Sequence, residues 1–246
     1  MTEVAWDEYW EKLRVKLKPF KRIAWEPITE ELTSKPHKSK FSGIPVLDGN
    51  GWPCCDNCNK PMQLFAQINS EDVPKAATPA FSSGILQIFY CTNEEPHCEV
   101  DCESWAPNSK ATLVRILPLN IETKREIMQS PVEEAFPEMS ISGWRELEDY
   151  PDTFELEELG LDLTDDEAEF LCDDEIPFAG EKLLGWPCWI QGIEYPTCTV
   201  CEKEMRFIFQ IDSSGELPYM FGDSGCAHVF QCDEHKKELA MAWACC

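Results

Sequence analysis

Residues 53–68 read PCCDNCNKPMQLFAQI and residues 196–211 read PTCTVCEKEMRFIFQI. Aligned without a gap, Pro53, Cys55, Cys58, Lys60, Met62, Gln67 and Ile68 fall on Pro196, Cys198, Cys201, Lys203, Met205, Gln210 and Ile211. The match extends outward in both directions. Upstream, Lys40, Gly43 and Pro45 correspond to Lys182, Gly185 and Pro187 after a one-residue slip. Downstream, Ser83, Gly84, Phe89 and Cys91 correspond to Ser224, Gly225, Phe230 and Cys232 after a loop two residues shorter. Self-similarity at this scale is the mark of a duplicated structural unit, so each copy is expected to run Gly-Pro turn, metal knuckle, strand, loop, strand.

Period-two alternation supports the strands. Met205, Phe207, Phe209 and Ile211 alternate with Arg206, Ile208 and Gln210, which predicts a half-buried strand. Met62, Leu64, Ala66 and Ile68 alternate similarly, and residues 85–90, 113–117 and 239–243 are further strand candidates on composition or on alternation of side-chain size. The expected class is α+β, mainly β: two pseudo-repeated sheet halves, an N-terminal amphipathic helix and an acidic connecting segment. The corresponding division is 1–39 for helix and lead-in, 40–118 for the first repeat, 119–181 for the connecting segment and 182–246 for the second repeat.

The helix is read from Trp6, Tyr9, Trp10, Leu13 and Leu17 at helical spacing, with Thr2 as a candidate N-cap and Pro19 as the stop. The aromatic stripe is assigned to core packing. From Glu146 to Glu181 there is no Lys, Arg or His, and Asp165, Asp166, Glu167, Glu169, Asp173, Asp174 and Glu175 crowd together. Such a run stays solvated, as a linker or as an acidic docking arm. Thr164 ahead of Asp165, Asp166 and Glu167 predicts a helix start within it.

Fourteen cysteines in a chain with no signal peptide and no bilayer-length apolar run are read as metal ligands in a reducing, cytoplasmic setting rather than as disulfides. A C-x-x-C turn holds two thiolates about a tetrahedral edge apart, and a second pair closes the cage around Zn²⁺. The first site is assigned Cys55, Cys58, Cys91 and Cys98, with Cys102 competing for the place of Cys98 and Cys54 for that of Cys55. The second is assigned Cys198, Cys201, Cys232 and His235, with Cys226 competing for the place of His235. Four protein ligands leave no position for water or substrate, so two structural zinc ions are expected. Cys172, Cys188, Cys245 and Cys246 fall outside both sets and are read as packed thiols.

The formal net charge of -25 excludes nucleic acid as the natural partner, since a polyanion is bound by neutralising its phosphates. It points to a basic protein partner instead. Gly222-Asp223-Ser224-Gly225 matches the core of a serine-protease nucleophile motif but lacks its flanks and an upstream His-Cys base motif, so it is read as a turn. No other common catalytic signature occurs.

The stretches FSGIPVLDGNGWP, MQLFAQIN, SSGILQIFYCTN, CEVDCESWAPNSKATLVRI, FIFQIDSS, GDSGCAHVFQCDEH and ELAMAWACC resemble the bacterial YwqG-like family over most of the chain. A more distant resemblance is to the programmed cell death protein 2 / Tsr4 family of eukaryotes, through its Gly-Pro, C-x-x-C, K-x-M, Gln-Ile, aromatic-Cys order. That resemblance implies zinc at Cys55, Cys58, Cys91 and Cys98, favouring Cys98 over Cys102. The resemblances also imply a β-rich fold of two related halves. The eukaryotic relatives are chaperones of a basic ribosomal protein, and the bacterial ones have been suggested as immunity factors against secreted toxins.

The expected function is a zinc-stabilised cytosolic protein-interaction module, chaperone-like or a toxin-immunity protein, without catalytic activity. The alternatives are an enzyme of unrecognised type, with a cleft between the halves lined by Gln67, Gln210 and Asp223, or a redox or metal sensor.

Overall fold

The computed structural model describes residues 3–31, 35–121, 129–173 and 176–246, the side chains of residues 3–8 and 172–173 excepted. Ten antiparallel strands form one sheet: β1 Arg22–Glu30, β2 Lys40–Phe41, β3 Gln63–Asn69, β4 Ile85–Tyr90, β5 Thr112–Leu117, β6 Met139–Asp149, β7 Lys182–Leu184, β8 Arg206–Asp212, β9 Cys226–Gln231 and β10 Leu239–Ala244. Their order is β10-β9-β8-β7-β1-β6-β2-β3-β4-β5. The ends come together where the Trp243 amide donates to the Trp105 carbonyl at 3.1 Å, so the sheet is a nearly closed barrel.

Four strands therefore flank a central β1–β6 pair on each side. In one arm Lys40 pairs with Gln67, and in the other Lys182 pairs with Gln210. The β3–β4 ladder slips between Leu64 and Ala66, and the β8–β9 ladder between Phe207 and Phe209.

The alternation predicted half-buried strands. Instead β3, β4 and β9 are buried on both faces, and β8 nearly so. Inward, Ala66, Ile68, Ile88, Tyr90, Ile208, Ile211, Val229 and Trp243 fill the barrel. Outward, Met62, Leu64 and Phe89 pack under the first knuckle, and Met205, Phe207 and Phe230 under the second. The cysteine loops fold back over the outer face and remove it from water.

The central strands β1 and β6 carry no period-two signal strong enough to find. Sequence analysis leaves β1 in the lead-in and β6 in the connecting segment, yet these two join the arms along a nine-position ladder from Arg22↔Asp149 to Glu30↔Ser140. One buried lysine ties each arm to the β6 strand or its entry. Lys182 Nζ meets Asp149 at 2.9 Å, both side chains essentially inaccessible. Lys40 Nζ meets Glu138, just ahead of β6, at 3.3 Å. Gly43 and Gly185 have positive φ and face those two carboxylates, where a Cβ would collide.

Helix α1, Glu3–Leu17, buries Leu13 and Leu17 against Tyr150, Leu156, Phe170 and Leu171. The core-packing reading of its stripe holds for these residues and for half-buried Tyr9 and Trp10; Thr2 and the Trp6 side chain lie outside the described residues. The partner surface comes from the acidic segment, as α3 Thr153–Glu158 and α4 Asp165–Asp173. Thr164 and Glu167 exchange side-chain to backbone hydrogen bonds at 3.3 and 3.0 Å, a capping box at the predicted helix start. Lys16 of α1 pairs with Glu167. No helix among the described residues is long and apolar enough to cross a membrane.

Candidate metal centres

Each C-x-x-C turn is made by the same backbone bonds. Cys55 N donates to Lys60 O, Asn59 N to Cys55 O and Met62 N to Pro53 O; Cys198 N donates to Lys203 O, Glu202 N to Cys198 O and Met205 N to Pro196 O. Asn59 and Glu202 take positive φ to reverse the chain after the second cysteine. The Asn57 and Val200 amides, each 3.4 Å from a sulfur, point at Cys55 and Cys198 Sγ. Such N–H groups stabilise thiolate and fix its orientation.

Cys91 and Cys232 directly follow strands β4 and β9, which brings a third sulfur to each turn. Helix α2, Cys98–Asp101, supplies the fourth in the first group, and the turn after Cys232 supplies His235 in the second. The donor atoms of Cys55, Cys58, Cys91 and Cys98 all lie within 4.8 Å of one another, as do those of Cys198, Cys201, Cys232 and His235, and each group could hold a metal ion. Zn–S bonds of about 2.3 Å at tetrahedral angles place neighbouring sulfurs ~3.8 Å apart. Cys55 to Cys98 is 3.9 Å, Cys58 to Cys91 3.7 Å and Cys201 to Cys232 3.6 Å. The histidine presents Nδ1, 3.8 Å from both Cys198 and Cys232 Sγ. These separations are well beyond a disulfide bond.

The electrostatics of the two groups differ. Burial pushes the Cys98 thiol up to about 11 and Cys91 higher still, so these two stay protonated at neutral pH without a metal, whereas at Cys58 burial is outweighed by hydrogen bonds from the Lys60 amide and the neighbouring thiols, which lower it. A divalent cation reverses that balance by taking thiolates as ligands. In the second group the His235 backbone N–H, 3.2 Å from Cys232 Sγ, draws that thiol down to about 6.

The competing cysteines stand apart from both groups. Cys102 is half-buried beside the first but outside it, and exposed Cys54 bonds the Trp52 carbonyl. Cys226 is buried in β9 with its sulfur on the Ile211 carbonyl. Cys188, Cys245 and Cys246 belong to neither group, and the Cys172 side chain lies outside the described residues.

The polar residues of the imagined interarm cleft do not converge on one. Gln67 Nε2 donates to the Pro36 and Lys38 carbonyls and its Oε1 accepts from Val46 N. Gln210 Nε2 likewise donates to Ala179 and Gly180 carbonyls, with Oε1 accepting from Cys188 N. Both are spent on the backbone of the turns that enter β2 and β7, while Asp223 is exposed in a turn closed by the Gly225 amide on Phe221 O.

Sequence reading missed Glu99, which follows Cys98 and accepts hydrogen bonds from Tyr90, at 3.0 Å, and from Tyr219. No spacing signal could have found it, because its partners come from strand β4 and from the loop before β9.

No curated protein matches the chain at a significant level. A family model described as a domain of unknown function, DUF1963, matches residues 39–240, from the entry into β2 to the second residue of β10. With most of its length inside that match, and with both four-donor groups in it, the chain belongs to the DUF1963 family.

Proposed function

We propose that the protein is a zinc-stabilised, cytosolic interaction module of the YwqG-like kind, built from a duplicated four-stranded unit, and that its partner is a basic protein. The observation that carries this is the pair of preformed four-donor groups with tetrahedral sulfur spacings and no position left open for a substrate. Thiolate-rich donors favour zinc over hard cations. The matched knuckle bonds, the shared ladder slips and the paired Lys–Gln contacts support duplication.

The acidic segment supports the partner's charge. Folded onto α1 through Lys16–Glu167, it leaves Glu157, Glu158, Asp165, Asp166 and Glu169 exposed on its two helices and Asp162 exposed between them. Such a face accelerates and orients encounter with a cationic protein. A chaperone or an immunity protein would use it to mask a basic surface.

Elemental analysis of anaerobically purified protein tests the metal, with two equivalents of zinc per chain expected; fewer than one overturns it. Capture with the full chain at low and at high salt tests the partner. A salt-sensitive basic protein is expected, and a salt-indifferent or acidic one overturns the charge argument.

A further inference from the structure

An open cleft of about 680 Å³ lies at the seam where the barrel ends meet, a size typical of ligand sites. One wall is residues 105–107, held to the first metal group through the Ser104 hydroxyl on the Cys98 carbonyl and through α2. The opposite wall is residues 194–196, where Pro196 O accepts the Met205 amide as part of the second knuckle. The floor is residues 242–245 at the end of β10. Each metal group thus anchors one wall.

The lining is chemically biased. Trp105 is 41% exposed, an unusual state for so large an apolar ring, and its edge meets Trp243. Pro107, Tyr195 and Pro196 complete the apolar surface. Among the described residues no Lys, Arg or His lines the cleft, whereas Glu194 is exposed at its rim. Tyr195 also donates to buried Glu155 at 2.5 Å, so helix α3, whose Glu157 and Glu158 are exposed, adjoins the wall.

The floor offers backbone as well. The Trp243 amide turns away from β9 toward Trp105, and in an antiparallel strand the carbonyl of the same residue shares that edge. Among the described residues no group donates to it.

The geometry points to this cleft as the docking site for an extended segment of the partner protein, carrying proline or an aliphatic residue flanked by lysine or arginine. The aromatic and proline walls take the apolar residue, the Trp243 carbonyl takes one backbone N–H, and Glu194 with the exposed α3 carboxylates takes the flanking charge. The inference rests on the reading that the partner is basic.

The test pans a random dodecapeptide display library on the metal-loaded full chain. Enriched peptides should carry Lys or Arg beside Pro, Leu or Val, and Trp105→Ala and Glu194→Lys should each weaken them by about tenfold or more at unchanged zinc content. Basic peptides that bind both variants as tightly as the parent overturn the cleft and leave the basic-partner reading standing. Enrichment of acidic peptides, or of none, overturns both.

Discussion

The two arms use the same scaffold and differ in how well they satisfy it. In the first arm Gln87, opposite Gln67, donates to Val46 O and to Gln67 Oε1, and its own Oε1 accepts from Arg115 on β5. At the matched place in the second arm, His228 lies opposite Gln210 and the position facing it on β10 is Ala242. Among the described residues no partner reaches His228 Nε2, although the ring is buried against Trp189, while the first arm leaves Nη2 of Arg115 without one. The ion pairs differ in the opposite sense. Asp149 gathers Lys182 Nζ and the Trp186 and Phe178 amides, whereas Lys40 divides itself between Ile44 O and a more distant Glu138. Similar ladders thus leave polar satisfaction to be settled separately at each position.

The metal groups offer the largest way to break the symmetry. Bound zinc would leave the Cys₄ cage dianionic and the Cys₃His cage monoanionic. Binding coupled to folding is worth on the order of 10 kcal/mol, comparable with the ~5–15 kcal/mol that stabilises a whole domain. Cys55→Ser and Cys198→Ser should each halve the zinc content and destabilise the arm that carries them. Cys55→Ser should speed hydrogen exchange in β4 and β5 and Cys198→Ser in β8, β9 and β10, so exchange mapped along the sheet will separate the two; the first should also loosen the Trp105 loop that follows α2, read by tryptophan fluorescence.

Next come the buried lysines. Asp149→Ala strands Lys182 without a counter-charge and should cost about 3–5 kcal/mol in urea unfolding. Glu138→Ala should cost less, about 1.5–3 kcal/mol, because Lys40 keeps the Ile44 carbonyl. Equal losses would show that the arms are tied to β6 alike.

A smaller effect sharpens the His228 comparison. Burial holds that imidazole down to about 3, against 6.5 when free. Between those limits the unfolded chain binds more protons, so the residue removes stability as pH falls from 6.5 toward 3, at up to about 1.4 kcal/mol per pH unit. Glu181 and Asp152, raised by burial to about 7 and 6, act in the opposite sense. His228→Gln should restore the first arm's chemistry, raise stability by about 1 kcal/mol at pH 7 and abolish the histidine's share of the acid slope. An unchanged slope in paired melts at pH 7 and pH 5 would contradict this.

The smallest concerns a device that only the acidic segment has. Thr164→Ala removes half of a capping box and should lower stability by about 1 kcal/mol, read as earlier hydrogen exchange in α4 with β8 and β9 unaffected.

Much of this was written locally. Cys55 and Cys58, or Cys198 and Cys201, lie within a few residues of each other, so chain geometry alone brings their sulfurs to one turn, and the matched Cys91 and Cys232 announce the strand that returns. The helix ending at Leu17 and the start at Thr164 follow from spacing and capping, which also act over single turns. Tertiary structure alone decided the rest. Strands β1 and β6 draw their place from neighbours far away in sequence, and the second face of β3 and β8 is buried by loops whose return path no period encodes. Local hydrogen bonding and side-chain periodicity are legible in a chain; closure of a barrel and the meeting of its two ends depend on contacts more than a hundred residues apart.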